Sequence, residues 1–158
     1  MAEEPNVITD EMRAAVGKES EPSVREVDRT QIRLFARSVG HTDPIYYDVE
    51  AAKAVGYRDL PAPPGYLGTP VFQPGQPARA AQEFQPAIPM NRRLNGGTEI
   101  EYFGDIVAGD VLTATSHIAS FTQTKGSIGT MLVITTKTVY KNASGEVVAI
   151  GTGTSIRY

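Results

Sequence analysis

From residue 94 onward the chain alternates with a period of two, and nothing else in it restricts the fold as much. Residues 97–104 read Gly-Thr-Glu-Ile-Glu-Tyr-Phe-Gly. Residues 111–121 set Leu112, Ala114 and Ile118 against Thr113, Thr115 and His117; residues 131–141 are dense in Val, Ile, Thr and Tyr, and residues 147–158 form a fourth such run. Side chains two apart share one face of a sheet, so this spacing predicts four long strands. Asn142-Ala143-Ser144-Gly145 reads as a hairpin turn and Thr124-Lys125-Gly126 as another. The expectation is one antiparallel sheet.

The first third is helical instead. Residues 11–16 fit a short helix that Gly17 closes. Asp28 or Thr30 can cap a longer one, in which Ile32, Phe35, Ala36 and Val39 make a single apolar stripe before Gly40. Residues 49–55, rich in Ala and followed by Gly56, fit a third. Residues 61–90 then hold eight of the eleven prolines, and no regular helix longer than two turns survives that spacing. Pro63-Pro64-Gly65 can still open a helix, since proline is tolerated in the first turn, with Pro70, Pro74, Gly75 and Pro77 cutting it short. Helices followed by a run of strands predict an α+β fold with one sheet.

Length and composition narrow the function. A chain of 158 residues fits one domain over 1–158, with residues 1–10 read as a flexible tail. Fifteen Lys and Arg against eighteen Asp and Glu leave a formal charge of −3, which disfavours nucleic acid as a partner. With no Cys there is no disulfide scaffold, thiolate nucleophile or iron–sulfur cluster, and two His leave little for a metal site, so none is expected. No apolar run reaches the roughly 18–20 residues of a membrane helix. The opening Met-Ala-Glu-Glu-Pro lacks the basic and apolar regions of a secretory leader. A cytoplasmic protein without a membrane partner is expected.

Three stretches in order carry a resemblance. Phe35-Ala36-Arg37-Ser38-Val39-Gly40-His41-Thr42-Asp43-Pro44-Ile45-Tyr46-Tyr47-Asp48 with Ala62-Pro63-Pro64-Gly65 resembles the front half of a MaoC-like hot-dog domain, closest to its FAS1-like dehydratase branch. Leu94-Asn95-Gly96-Gly97-Thr98-Glu99-Ile100-Glu101-Tyr102 and Val107-Ala108-Gly109-Asp110 are similar to the family's Gly-Gly and Ala-Gly-Asp signatures. The resemblance covers roughly residues 10–158. It implies a single hot-dog fold, an antiparallel sheet wrapped around a short central helix. It also implies two such folds paired around a tunnel for acyl-coenzyme A or acyl-carrier thioesters. Coenzyme A would then be part of the substrate, with no separate cofactor.

Hydrating a 2-enoyl thioester needs a base for water, an acid for the carbon beside the carbonyl, and a donor for the enolate oxygen. Active members of the family carry Asp-x-Asn-Pro-x-His; the matching stretch here is His41-Thr42-Asp43-Pro44-Ile45-Tyr46. His41 stands for the catalytic Asp and Tyr46 for the catalytic His, and a phenol of ordinary pKa near 10 is a poor base. Three readings stay open. His41 and Asp43 move the protons with Tyr46 as donor; or the chain is the non-catalytic half of a hydratase, a homodimer, heterodimer or heterotetramer with a MaoC-like catalytic chain; or His41, Asp43 and Tyr46 only brace the loop. The resemblance makes Gly65 an oxyanion donor at a helix start, although a glycine after two prolines also eases a tight turn. Arg92 and Arg93 are placed to meet coenzyme A phosphates or to serve as plain surface. Gly151 and Gly153 read as small residues for close packing. The broken central helix predicts room for a branched, aromatic or sterol-derived acyl group. An acyl-thioester-binding module without chemistry is the alternative. A thioesterase, which wants a carboxylate at the central helix, has only Asp59 nearby.

Overall fold

The computed structural model describes residues 6–72, 74 and 86–158. Six antiparallel strands form one curled sheet in the order β2-β1-β4-β5-β6-β3. The strands are β1 (Ser23–Glu26), β2 (Thr69–Pro70), β3 (Arg93–Tyr102), β4 (Val111–Gly126), β5 (Gly129–Lys141) and β6 (Val147–Arg157). Among the described residues the helices are α1 (Asp10–Ala15), α2 (Arg29–Ser38) and α3 (Val49–Ala54), with a short 3-10 turn over Pro44–Tyr46.

The four long strands follow the sequence pattern, though β3 runs Arg93–Tyr102 where 97–104 was expected. The turn expected over residues 124–126 moves on, because Gly126 pairs with Gly129 and leaves Ser127 and Ile128 to reverse the chain. At the other end Asn142 holds its turn, its Oδ1 accepting from the Ser144 and Glu146 amides at 3.0 Å each. β1 and β2 were not expected. Four and two residues are too few to show a period, and both form only by pairing: Val24 with Thr113 of β4, and Arg25 with Pro70.

Helix ends are set by side-chain caps. Asp28 accepts from the Thr30 and Gln31 amides, satisfying donors that would otherwise be orphaned at the start of α2. Ile32 and Ala36 are fully buried, as their spacing predicts, but Val39 is 53% exposed. The helix stops at Ser38, and Val39, with φ −99° and ψ 5°, leaves the apolar stripe.

No helix opens at Gly65. Residues 63–66 make a turn closed by the Tyr66 amide on the Pro63 carbonyl, and Gly65 has φ +95°, a left-handed conformation outside a right-handed helix. Two prolines before it and Pro70 after it leave no uninterrupted turn, and the chain enters β2 instead. Gly75 and Pro77 lie outside the described residues. The short helices that the sheet curls around are α2 and α3, whose Ile32 and Ala52 join Leu60, Leu112, Val148 and Ala149 in one apolar cluster.

A second cluster sits at the far end of the same face. Met12 and Ala15 of α1 cover Ile118, Leu132 and Ile134. The segment before α1, expected as part of a flexible tail, is tied down: Val7 and Ile8 pack on this cluster, and the Val7 amide donates to Gln123 Oε1 at 2.8 Å. The chain then runs along β4, bridging Val16 to Ile118 and Glu19 to His117, so His117 is half-covered and not the solvated residue that alternation predicts.

Candidate functional site

The inner face of the sheet between the two clusters is built in tiers by the strand register. Ala114, Tyr140, Ala149 and Tyr102 form one tier, and Ser116, Thr138, Gly151 and Ile100 the next. Ile118, Thr136, Gly153 and Thr98 follow, then Phe121, Ile134, Ser155 and Asn95. The run of side chains between the clusters is thus hydroxyl and hydrogen where a core would hold Leu and Val. A Cβ added at Gly153 would meet nothing within 4 Å, and one at Gly151 only Tyr140 at 3.6 Å. These glycines leave the floor open; they do not serve close packing.

A cavity of about 440 Å³ stands over that floor, lined by Arg25, Phe35, Gly65, Thr98, Thr138 and Tyr140 among others. Phe35 stands 3.3 Å from where a Gly65 Cβ would be, so only glycine lets α2 approach the turn this closely. Arg25 is held by the Leu67 and Gly68 carbonyls at 2.7 and 2.8 Å and places its guanidinium 5.9 Å from the Tyr140 ring centre. Burial raises the Tyr140 phenol's pKa, the Arg25 charge opposes the rise and Tyr102 adds to it, so Tyr140 stays a neutral donor at ordinary pH.

The loop singled out by the sequence lies beside α2, outside this cavity. The His41 and Tyr46 rings stack at 5.2 Å, tilted by 41°. Asp43 caps the 3-10 turn, its Oδ1 accepting from the Ile45 amide at 3.1 Å. Tyr47 donates its hydroxyl to the His41 carbonyl. Burial, then the Asp43 charge and Tyr57, push the Tyr46 phenol above its ordinary pKa, further from the range of a base at neutral pH. His41, Asp43 and Tyr46 are together; Gly65 is elsewhere, and its amide donates to the Tyr102 hydroxyl at 2.8 Å.

The two adjacent arginines diverge. Arg92 lies over the Tyr158 ring at 5.9 Å, while Arg93 reaches the inner face. Asp59, the carboxylate that a thioesterase would need, is engaged by Arg29 through 2.6 and 2.9 Å bonds that hold its carboxyl below the usual range. Among the described residues no cluster of three metal-ligating side chains occurs, and no helix is long and apolar enough to cross a membrane. Sequence reasoning missed Tyr102, Tyr140, Arg25 and the threonine rows. Alternation along β5 and β6 was the available signal, but it became useful only once the register joined the strands.

A sequence profile of the FAS1-like, dehydratase domain region matches residues 14–150, and the chain belongs to that family. It is 38% identical over 129 residues to a UPF0336 protein of Parafrankia sp. (strain EAN1pec), covering 80% of each chain. It is 36% identical over 128 residues to a UPF0336 protein of Leifsonia xyli subsp. xyli, covering 80% of this chain and 82% of that one. Among solved structures it is similar to a chain of the ChsH1-ChsH2 complex from Mycobacterium tuberculosis, with TM-score 0.71 and 18% identity over 92% of this chain and 90% of that one. A chain of the C terminal truncated HadBC (3R-hydroxyacyl-ACP dehydratase) complex from the same organism gives TM-score 0.71 and 23% identity over 90% and 96%. The (R)-hydratase from A. caviae involved in PHA biosynthesis gives TM-score 0.59 and 13% over 90% and 95%. The fold is therefore the hot-dog fold that the sequence resemblance implied.

Proposed function

We propose that this chain is the substrate-holding, non-catalytic half of an enoyl-thioester hydratase, the reverse activity being 3-hydroxyacyl-thioester dehydration. A MaoC-like partner chain would supply the acid–base pair. The observation that carries this reading is a division within the molecule: the inner face offers an open, hydroxyl-lined cavity, while the groups at the positions of the family's proton-transfer motif are otherwise engaged. The Asp43 carboxylate caps a turn, the Tyr46 phenol is driven away from basicity, and Tyr102 occupies the Gly65 amide that would face an enolate.

Two further features support a partner. Among the described residues β3 ends the sheet with its outer edge unpaired, and nine of its ten residues are exposed, Leu94 at 46% and Tyr102 at 40% among them. A long edge strand with apolar side chains invites pairing. The ChsH1-ChsH2 and HadBC neighbours are complexes of two subunits. A volume of about 440 Å³ on the inner face favours a bulky acyl group on the coenzyme A or carrier thioester. An acyl-thioester-binding module without chemistry is the second reading; co-purification with a second hot-dog chain separates the two.

Hydration of a 2-enoyl-CoA by the purified chain tests the proposal, with Tyr46→Phe and His41→Ala alongside. The expected result is binding without turnover. Turnover that either substitution abolishes would mean that His41 and Tyr46 work as an altered acid–base set, and the reading falls. Among bound thioesters, preference for the shortest acyl chain would refute the bulky-substrate assignment.

A further inference from the structure

We propose that the far end of the groove, where Arg157 of β6 and Arg93 of β3 face each other, binds an anionic oxygen group, phosphate or carboxylate, of the molecule that occupies the groove. The proposal rests on the thioester reading only for which molecule carries the anion.

Arg157 has Leu132 of β5 as its register partner on one side and Arg93 on the other. Neither neighbour offers a carboxylate. Directly opposed side chains on adjacent strands sit with Cβ atoms about 4.5–5.5 Å apart, and like charges so placed are destabilising. Glu99 and Glu101, the acidic residues of β3, alternate onto the other face. Leu132 is fully buried, so the stem of Arg157 lies against apolar surface, and its Nε is buried without any hydrogen-bond partner. Leaving a buried charged donor unmatched costs more than leaving a neutral one. An oxygen anion between the two guanidiniums removes both defects at once: it turns repulsion into two attractions and accepts from the orphaned Nε.

The surroundings fit such a guest. A cavity of about 260 Å³ is lined by Arg93, Arg157, Asn95, Thr136 and Ser155, with side-chain donors on every wall and no carboxylate. It shares Thr98, Thr136 and Gly153 with the larger cavity, so the two adjoin along the inner face as one trough of side chains. From Gly151 to Arg157 is six residues of strand, roughly 20 Å at about 3.3 Å per residue. One elongated molecule can therefore lie along the hydroxyl rows with its charged end between the arginines. Arg93 thus works with Arg157 and not with its chain neighbour Arg92, whose guanidinium lies over Tyr158.

The test titrates the full chain with inorganic phosphate and, separately, acetate at constant ionic strength, followed by amide shifts of Asn95, Gly97 and Ser155. Saturable binding is expected, weakened at least tenfold in Arg157→Gln and in Arg93→Gln. Arg37→Gln, which removes the same charge from the exposed face of α2, should change nothing. Arg93 is exposed, so its variant keeps the test readable even if Arg157→Gln fails to fold. Tighter phosphate binding assigns the site to a phosphorylated arm, and tighter acetate binding to an acyl carboxylate. Absence of saturation by either ion, or equal loss in all three variants, overturns the proposal. Phosphate binding by a chain that ignores thioesters would leave this site standing and remove the thioester reading; thioester binding indifferent to both arginines would do the reverse.

Discussion

The loop at 41–46 and the trough along the inner sheet face differ in how their polar groups are used. In the loop the Asp43 carboxylate accepts from an amide, the Tyr47 hydroxyl donates to a carbonyl, and the His41 ring lies against a phenol. Along the trough Thr98, Thr136 and Tyr140 line open space, while the Ser116 and Thr138 hydroxyls bond each other at 2.8 Å and Arg25 is held by backbone carbonyls. Satisfied polar groups rigidify a structure, whereas open ones are available to a ligand. Motif position alone pointed to the loop; the open floor at Gly151 and Gly153 points to the trough.

The contrast can be broken most forcefully at α2, which serves both regions. Ile32→Ala deletes a fully buried side chain and should cost about 2–5 kcal/mol in urea unfolding. A loss below about 1 kcal/mol would show that α2 is not the shared support. Next, Gly153→Leu places a side chain on open floor; thioester binding should fall at least tenfold with the melting temperature nearly unchanged, while Tyr46→Phe alters binding less than twofold. Equal losses in the two variants would erase the distinction. Asp43→Ala should cost roughly 0.5–2 kcal/mol through the lost cap and leave binding intact; a parallel loss of binding would return the loop to the site.

The smallest effect is in pH. Burial works to raise the Asp28 pKa, but the hydrogen bonds from the Gln31 and Thr30 amides together outweigh it and lower the value, as Arg29 does for Asp59. A folded-state pKa below the unfolded value means that the ionised carboxylate favours folding. Both contributions are therefore full above about pH 4 and fade as the pH falls through the folded values. Both sites are solvent-screened, so the loss should stay under about 1 kcal/mol in acid unfolding curves. Stability that rises on acidification across that window would reverse the sign.

The long strands were legible because each keeps its alternation over a stretch longer than any turn, and the cap at Asp28 because one residue type satisfies that geometry. Val39 misled because a stripe carries no mark of where the helix stops. The turn at Gly65 shows the limit of local rules: proline permits a helix start, but the approach of Phe35 and the bond to Tyr102 settle the conformation, and both come from distant sequence. The trough was illegible for the same reason. Thr98, Thr136 and Gly153 look ordinary in three separate strands and become one surface only when register aligns them.

The irregularity between Asn95 and Gly97, where β3 slips by one residue against β6, has a larger reach than its size. Before it, odd-numbered positions look inward; after it, even-numbered ones do. Gly97, at φ +135°, supplies the backbone that the slip needs. Deleting the extra residue, Gly96, would turn the strand's first segment inside out, exporting Arg93 and Asn95 to the outer surface and importing Leu94 in their place. A reading-frame error in space would thus convert a charged receptacle into a greasy one, without touching any residue that lines it.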